Sequence, residues 1–198
     1  MRKLPRQARS RATVEAIIEA GARILGEEGW ADFSTNRVAE LAGVSIGSLY
    51  QYFPDKVSLV DSIRDHHLQD CLAALRSVRA DGATPEAFAD ELVRSMVALH
   101  SVFPGLHRAL LDEAPRSAEH RDPNSAFETV YLAFYIDAVA CFRGAPATPD
   151  DRAEALVLSD AIDGAIHNAV RRGAIGEPAM REALTRLVRL FLVDIGRG

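Results

Sequence analysis

The 198-residue chain is predicted to be all-α, with about nine helices. Apolar residues recur at three- and four-residue spacing through most of its length. Helix start and stop residues fall between those runs: Ser, Thr, Asp or Pro before them and Gly after. No stretch alternates apolar and polar residues as a half-buried strand does. A hydrophobic share of 48% and a charged share of 26% are those of an ordinary globular protein,. The length allows one large or two modest domains with a real core.

The first helix is expected over 11–28, with Val14, Ile17, Ile18, Ala22 and Leu25 on one face. Gly21 lies on that face, where it costs about 1 kcal/mol against alanine unless another helix packs close to it. Gly29 ends the helix, since glycine takes the left-handed C′ conformation without penalty. Trp30 and Phe33 follow as packing anchors. Ser34 is placed to cap a second helix whose buried face carries Val38, Leu41 and Ala42. Gly43 ends that helix, Val44 fills the corner, and Ser45 caps a short third helix over 46–52. Asp55 caps a long fourth helix over 56–79, which Asp81-Gly82 breaks. Thr84-Pro85 starts a fifth, with proline at N1. Pro104 opens a short sixth helix that fades at Pro115, and 115–124 is a loop. A seventh, aromatic-rich helix spans 125–143. Thr148-Pro149, with Asp150 and Asp151 in the first turn, starts an eighth that Gly173 ends. Pro178 starts the ninth.

Charge is distributed unevenly. The chain carries −5 overall, yet residues 1–56 hold eight Lys/Arg against seven Asp/Glu, and the remainder fifteen against twenty-one. Residues 1–11 contain five basic and no acidic side chains, a composition suited to phosphate contact,. The basic start lacks the apolar core of a signal peptide, and no apolar run reaches the roughly 18 residues of a membrane span. A cytoplasmic protein with no membrane partner is therefore expected. Cys71 and Cys141 read as small core hydrophobes in a reducing compartment.

Two short helices joined by the Ala42-Gly43-Val44-Ser45 turn form a helix-turn-helix pattern. Val44, Leu49 and Phe53 should face inward. Ser45, Ile46, Ser48, Tyr50 and Gln51 should face outward, and Gly47 leaves room for close approach of backbone to DNA. With Gly47, Leu49-Tyr50, Tyr52-Phe53, Lys56 and the long preceding helix, the stretch from about Arg11 to Val60 resembles the DNA-binding signature of TetR-family transcriptional repressors. The rest of the chain matches that family only in length and helical pattern.

The resemblance implies a DNA-binding domain at 1–56 and a helical ligand-binding and dimerisation domain at 57–198. It implies DNA contacts from Arg11, Thr35, Asn36, Ser45, Ile46, Gly47, Ser48, Tyr50 and Lys56, with Tyr50 and Lys56 on phosphate. A helix N-terminus at Thr35 and Asn36 suits an anion. Arg37 is either an assisting contact or a plain surface arginine. A homodimer would set two recognition helices about one DNA turn apart, or a multiple of it, on a palindromic operator. Its interface would come from Ala161, Ile162, Gly164 and Ala165 of helix 8 and Leu184, Leu187, Val188 and Phe191 of helix 9. Those stripes would also serve the subunit's own core. A small-molecule effector of unknown identity would be lined by His67, Met96, His100, Phe103, His107, Phe127, Tyr131, Phe134, Tyr135 and His167. For each of these, core packing and ligand contact are both open. Movement of helix 4 would couple that site to DNA.

Three classes compete. The leading one is a ligand-responsive repressor. A small-molecule binding protein of the same fold with vestigial DNA binding is the alternative, and the basic arm, Tyr50 and Lys56 argue against it. An enzyme is not expected, because no nucleophile, base and orienting group stand at recognisable spacing. His67 and Cys71, or His66 and Asp70, lie one helical turn apart. Two ligands do not complete a metal site, so neither metal nor cofactor is expected.

Overall fold

A computed structural model describes residues 8–117 and 125–197. All regular elements among them are helical: α1 (Ala8–Asp32), α2 (Thr35–Leu41), α3 (Ile46–Tyr52), α4 (Lys56–Ser77), α5 (Pro85–Val102), α6 (Leu106–Arg108), α7 (Ala126–Arg143), α8 (Asp151–Arg171) and α9 (Pro178–Ile195). A π-helical turn, Ala109–Glu113, directly follows α6. The basic arm, up to residue 7, and most of the loop at 115–124 lie outside the described residues.

Side-chain caps set four of the helix starts. Ser45 Oγ accepts from Ser48 N–H at 3.1 Å, Thr84 Oγ1 from Ala87 N–H at 3.2 Å and Ser125 Oγ from Glu128 N–H at 3.2 Å. Before α4 the pairing is reciprocal: Asp55 Oδ1 accepts from Ser58 N–H at 2.7 Å, and Ser58 Oγ from Asp55 N–H at 3.3 Å,. Ser34 occupies the N-cap position of α2, but its side chain makes no capping bond. Helix α8 also departs from expectation. It begins at Asp151, two residues beyond Pro149, because the buried Asp151 carboxylate turns back on the loop. It accepts from Thr148 N–H at 2.6 Å and from Arg143 at 2.7 Å. Gly29 interrupts α1 with φ +77°, and Gly43 closes α2 with φ +68°, conformations that a side chain disfavours.

The chain forms two compact units. The first comprises 1–69 and 103–122, so it extends past the expected 56/57 division and includes a returning segment far away in sequence. Its core is built on Ile17, Leu25, Phe33, Val38, Leu49, Phe53, Leu59 and Ile63, joined by Leu106 and Leu110 of the return. Helix α1 packs on α2, α6 and the π turn, and α2 on α3. Helix α4 packs close to α1 at Gly21, where a Cβ would lie 2.6 Å from Ile63 Cδ1 and displace the tip of that side chain. Leu41, expected to be buried, is 48% exposed. In so short a helix Val38 and Ala39 supply the inward face, and Leu41 points off it.

The second unit comprises 70–102 and 123–198. Helices α5 and α9 pack together, as do α7 and α8, and α9 also meets α7 and α8. Phe88, Leu92, Met96, Tyr135, Val139, Leu158, Ile162, Leu184 and Val188 form its core. No helix of the described residues is long and apolar enough to cross a membrane.

Candidate functional site

Helix α3 is anchored by Leu49, fully buried inside the first unit, with Phe53 buried just beyond its end. Its opposite face is open: Ser45, Ile46, Gly47, Tyr50 and Gln51 are exposed and Ser48 is half-buried. Ser45 and Ser48 hydroxyls lie 2.8 Å apart, which fixes both rotamers at the N-terminal edge of the helix. A Cβ on Gly47 would find nothing closer than Ser45 Oγ at 3.9 Å, so the surface there is flat and approachable. Tyr50 OH lies 3.1 Å from Thr35 Oγ1, clipping the α3 face to the first turn of α2. Asn36 and Arg11 are exposed. Arg37 is exposed too, but its guanidinium pairs with Glu28. Lys56, at the start of α4, donates to the Trp30 carbonyl at 3.2 Å. Its ammonium stands 3.7 Å from the centroid of the Trp30 ring, and burial lowers its pKa. This partial stowage of Lys56 was not legible from local sequence.

The ten residues expected to line an effector site are divided between the two units. In the first, His67 Nε2 and His107 Nδ1 approach to 3.0 Å, and Phe103 packs against α1 at Gly26. In the second, Tyr131 OH donates to Asp163 at 2.8 Å and lies 3.4 Å from Tyr135 OH. Phe127 stacks on Tyr131 with centroids 5.3 Å apart. His100 donates from Nδ1 to the Met96 carbonyl at 2.8 Å. In the neutral ring its Nε2 is then an acceptor, and His167 Nε2 meets it at 3.3 Å,. Burial, then the neighbouring His100, lowers the His167 pKa to about 4. Burial also lowers that of His100. Both imidazoles are thus neutral near pH 7. Phe134 stacks on Phe88 and lines a shallow surface pocket of about 260 Å³ with Val78, Arg79 and Cys141.

Asp163 is the polar group that sequence reasoning missed in this unit. Burial raises its pKa to about 6, opposed by the Tyr131 hydrogen bond and helped by Asp160 and Glu128. An aspartate within a helix reads as a solvated side chain, and only its spacing from Ser159 and Ile166, four residues before and three after it and both buried, hinted otherwise,. Its neighbour Cys71 is buried, and that burial pushes the thiol up to about 12, so the thiol is unreactive,. His66 and Asp70, the other pair one turn apart, are both exposed.

Residues 17–63 match the family model for bacterial regulatory proteins of the tetR family. The match contains the whole helix-turn-helix and its anchors. Over this stretch the chain is similar to the TetR family. An HTH-type transcriptional repressor, KstR2 of Rhodococcus jostii strain RHA1, is 32% identical over 77 residues, or 39% of this chain and 38% of that protein. The alignment thus spans well under half of that relative. A TetR transcription regulator from Haloarcula marismortui shares the fold with a TM-score of 0.72 at 22% identity, over 92% of this chain and 97% of its own. A TetR-family regulator from Streptomyces coelicolor aligns with a TM-score of 0.65 at 22% identity, over 92% and 99%.

Within this TetR-family fold the expected dimer stripe separates into two sets. Ile162, Leu184 and Val188 are 0–2% exposed and lie in the core of their own unit. They offer nothing to a second subunit, because α8 and α9 turn their regular apolar spacing inward. Ala161, Gly164, Ala165 and Phe191 are half-buried, and Leu187 is 40% exposed. The sequence reading passed over Leu156, Val157 and Leu190, which are 41%, 58% and 54% exposed. They fall between the inward positions, and a second apolar face on a helix is the available signal for such a patch.

Proposed function

We propose that the protein is a ligand-responsive transcriptional regulator, a repressor, that binds a palindromic operator as a homodimer. The capped, exposed face of α3 carries this reading, with Tyr50 and Lys56 beside it. It supplies an apolar side chain at Ile46, hydroxyls at Ser45 and Ser48 and a flat spot at Gly47 for the major groove. Tyr50, Thr35, Asn36 and Lys56 reach phosphate, with Arg11 as a further backbone contact. The repressor named among the relatives supports the sign of regulation. Leu156, Val157, Leu187 and Leu190, with Ala161, Gly164, Ala165 and Phe191, form the dimer surface. The effector occupies the C-terminal domain near the Tyr131–Asp163 and His100–His167 pairs, and α4 transmits its binding to Lys56. The coupling required is about 1–3 kcal/mol. As a regulator the protein carries out no catalysis and works in the cytoplasm.

Selection of genomic fragments by the purified protein at stated salt tests the reading, with an enriched palindrome as the expected result. On a selected fragment, Lys56→Ala should lower the slope of log affinity against log salt by about 1. Ile46 and Ser48 substitutions should change sequence preference. Retention of random DNA alone by a folded protein would refute operator binding.

A further inference from the structure

Beyond its own contact with phosphate, Lys56 stands at the end of a chain of contacts inside the first unit. We infer that Glu113 is a positioning residue for Lys56, acting through Trp30. The inference rests on the DNA-binding reading above for the role of Lys56, while the contact chain stands by itself.

Four observations build it. First, Gly29 turns the chain at the end of α1 with φ +77°, and a Cβ there would stand 2.8 Å from Glu113 Oε2. The turn is therefore shaped to admit a carboxylate. Second, Glu113 Oε2 accepts from the Trp30 backbone N–H at 3.0 Å, and Arg108 reaches the other oxygen, Oε1, at 3.1 Å. Third, the same Trp30 holds Lys56 at both its carbonyl and its ring face, and the Phe33 ring, 6.0 Å from that of Trp30, also flanks the ammonium at 5.5 Å. An ammonium has three donors, and the Trp30 carbonyl occupies one of them, so the side chain is restrained while still able to bind an anion. Fourth, the segment that carries Glu113 is fixed independently. Buried Arg64 donates to the Leu110 carbonyl at 2.9 Å and the Pro115 carbonyl at 3.1 Å. A Cβ on Gly105 would fall 2.0 Å from the Gly26 carbonyl oxygen, so the two backbones touch.

Glu113 thus sits where a shift of the 106–113 segment is felt at Trp30 and then at Lys56. The sign of the effect separates positioning from plain electrostatics. Removing a carboxylate near a DNA-binding face strengthens phosphate attraction on charge grounds alone. Positioning predicts the opposite.

The test uses full-length protein, a labelled random-sequence duplex over a series of NaCl concentrations, and the emission of Trp30, the chain's single tryptophan. Glu113→Ala should weaken binding about threefold to tenfold and lower the salt slope by about 1, as Lys56→Ala does. Both variants should shift Trp30 emission in the same direction, and the double variant no further. Glu113→Gln keeps an acceptor for the Trp30 N–H and should retain the wild-type slope and emission. If Glu113→Ala binds as tightly as wild type or tighter, or Glu113→Gln behaves like it, the inference is overturned and the DNA reading stands. A Lys56→Ala protein with the wild-type salt slope would overturn the phosphate assignment and the inference with it. The emission data would then show separately whether the contact chain exists.

Discussion

The two compact units differ in the central polar group that each buries. The first buries a permanent charge: Arg64 is 2% exposed, paired with Asp61, and spends its donors on the carbonyls of a returning segment. The second gathers Tyr131, Tyr135 and Cys71 around one carboxyl, Asp163, and pairs His100 with His167, all groups that can be neutral near pH 7. A guanidinium cannot lose its proton, so it suits a tie that must never loosen. Neutral hydroxyls and imidazoles can exchange one hydrogen-bond partner for another at modest expense, which suits an interior that must accept a ligand. The Arg64 tie is therefore a fixed one in the unit proposed to hold DNA, and the group around Asp163 an adjustable one in the unit proposed to hold an effector.

Removing the fixed tie should have the largest effect. Arg64→Ala strips the Leu110 and Pro115 carbonyls of their donor and leaves a void, with an expected loss of about 4 kcal/mol in urea unfolding,. A loss below about 1 kcal/mol would mean that the segment at 109–115 holds its place without Arg64. Ile162→Ala in the other unit should lose about 3 kcal/mol by ordinary cavity formation. That loss should not depend on protein concentration beyond what the wild type shows. Val157→Asp, by contrast, should leave the fold of the subunit intact and shift sedimentation toward monomer. If Ile162→Ala dissociated a dimer and Val157→Asp did not, the assignment of inward and outward faces of α8 would be reversed.

The adjustable set is sharpened by pH. Asp163 has its pKa raised to about 6 from an ordinary 3.8, so folding favours its protonated form. Its contribution to stability is fully present below about pH 4 and is lost as pH rises through about 6,. Above that, the ionised carboxylate destabilises the fold by about 3 kcal/mol. Asp163→Asn should therefore be more stable than wild type at pH 8 by about that amount, with the gap closing toward pH 4. Parallel stability curves for the two proteins would show that Asp163 ionises as freely folded as unfolded.

The same contrast explains what could be read from sequence. The helix-turn-helix was legible because its backbone requires particular residues: φ +68° at Gly43, a short polar cap at Ser45, an apolar anchor at Leu49. Helix limits elsewhere followed from caps such as Asp55 and Thr84. The return of 103–117 to the first unit left no local mark, since Arg64 and its carbonyl partners are 46 and 51 residues apart. The buried face of α8 was ambiguous because apolar residues lie on both sides, Leu158 and Ile162 inside, Leu156 and Val157 outside. The Tyr131–Asp163 bond depends on how α7 packs on α8, which periodicity does not specify.

The smallest expected effect separates a cap by position from a cap by bond. Ser45 and Ser34 both precede a short helix of the first unit, and both have extended backbone. Ser45 Oγ satisfies the Ser48 N–H, whereas the Ser34 side chain makes no capping bond. Ser45→Ala should therefore lose about 1 kcal/mol, and Ser34→Ala only a few tenths. The two substitutions remove the same atom, so propensity and hydrophobicity nearly cancel in the comparison, and the difference isolates the hydrogen bond. Ser45→Ala should also release Ser48, whose hydroxyl lies 2.8 Å from that of Ser45. It should thus weaken sequence discrimination by more than its stability loss explains, measured as the affinity ratio between a selected fragment and random duplex. Equal stability losses at the two serines would show that residue preference at the N-cap, rather than the observed bond, holds α3 in place.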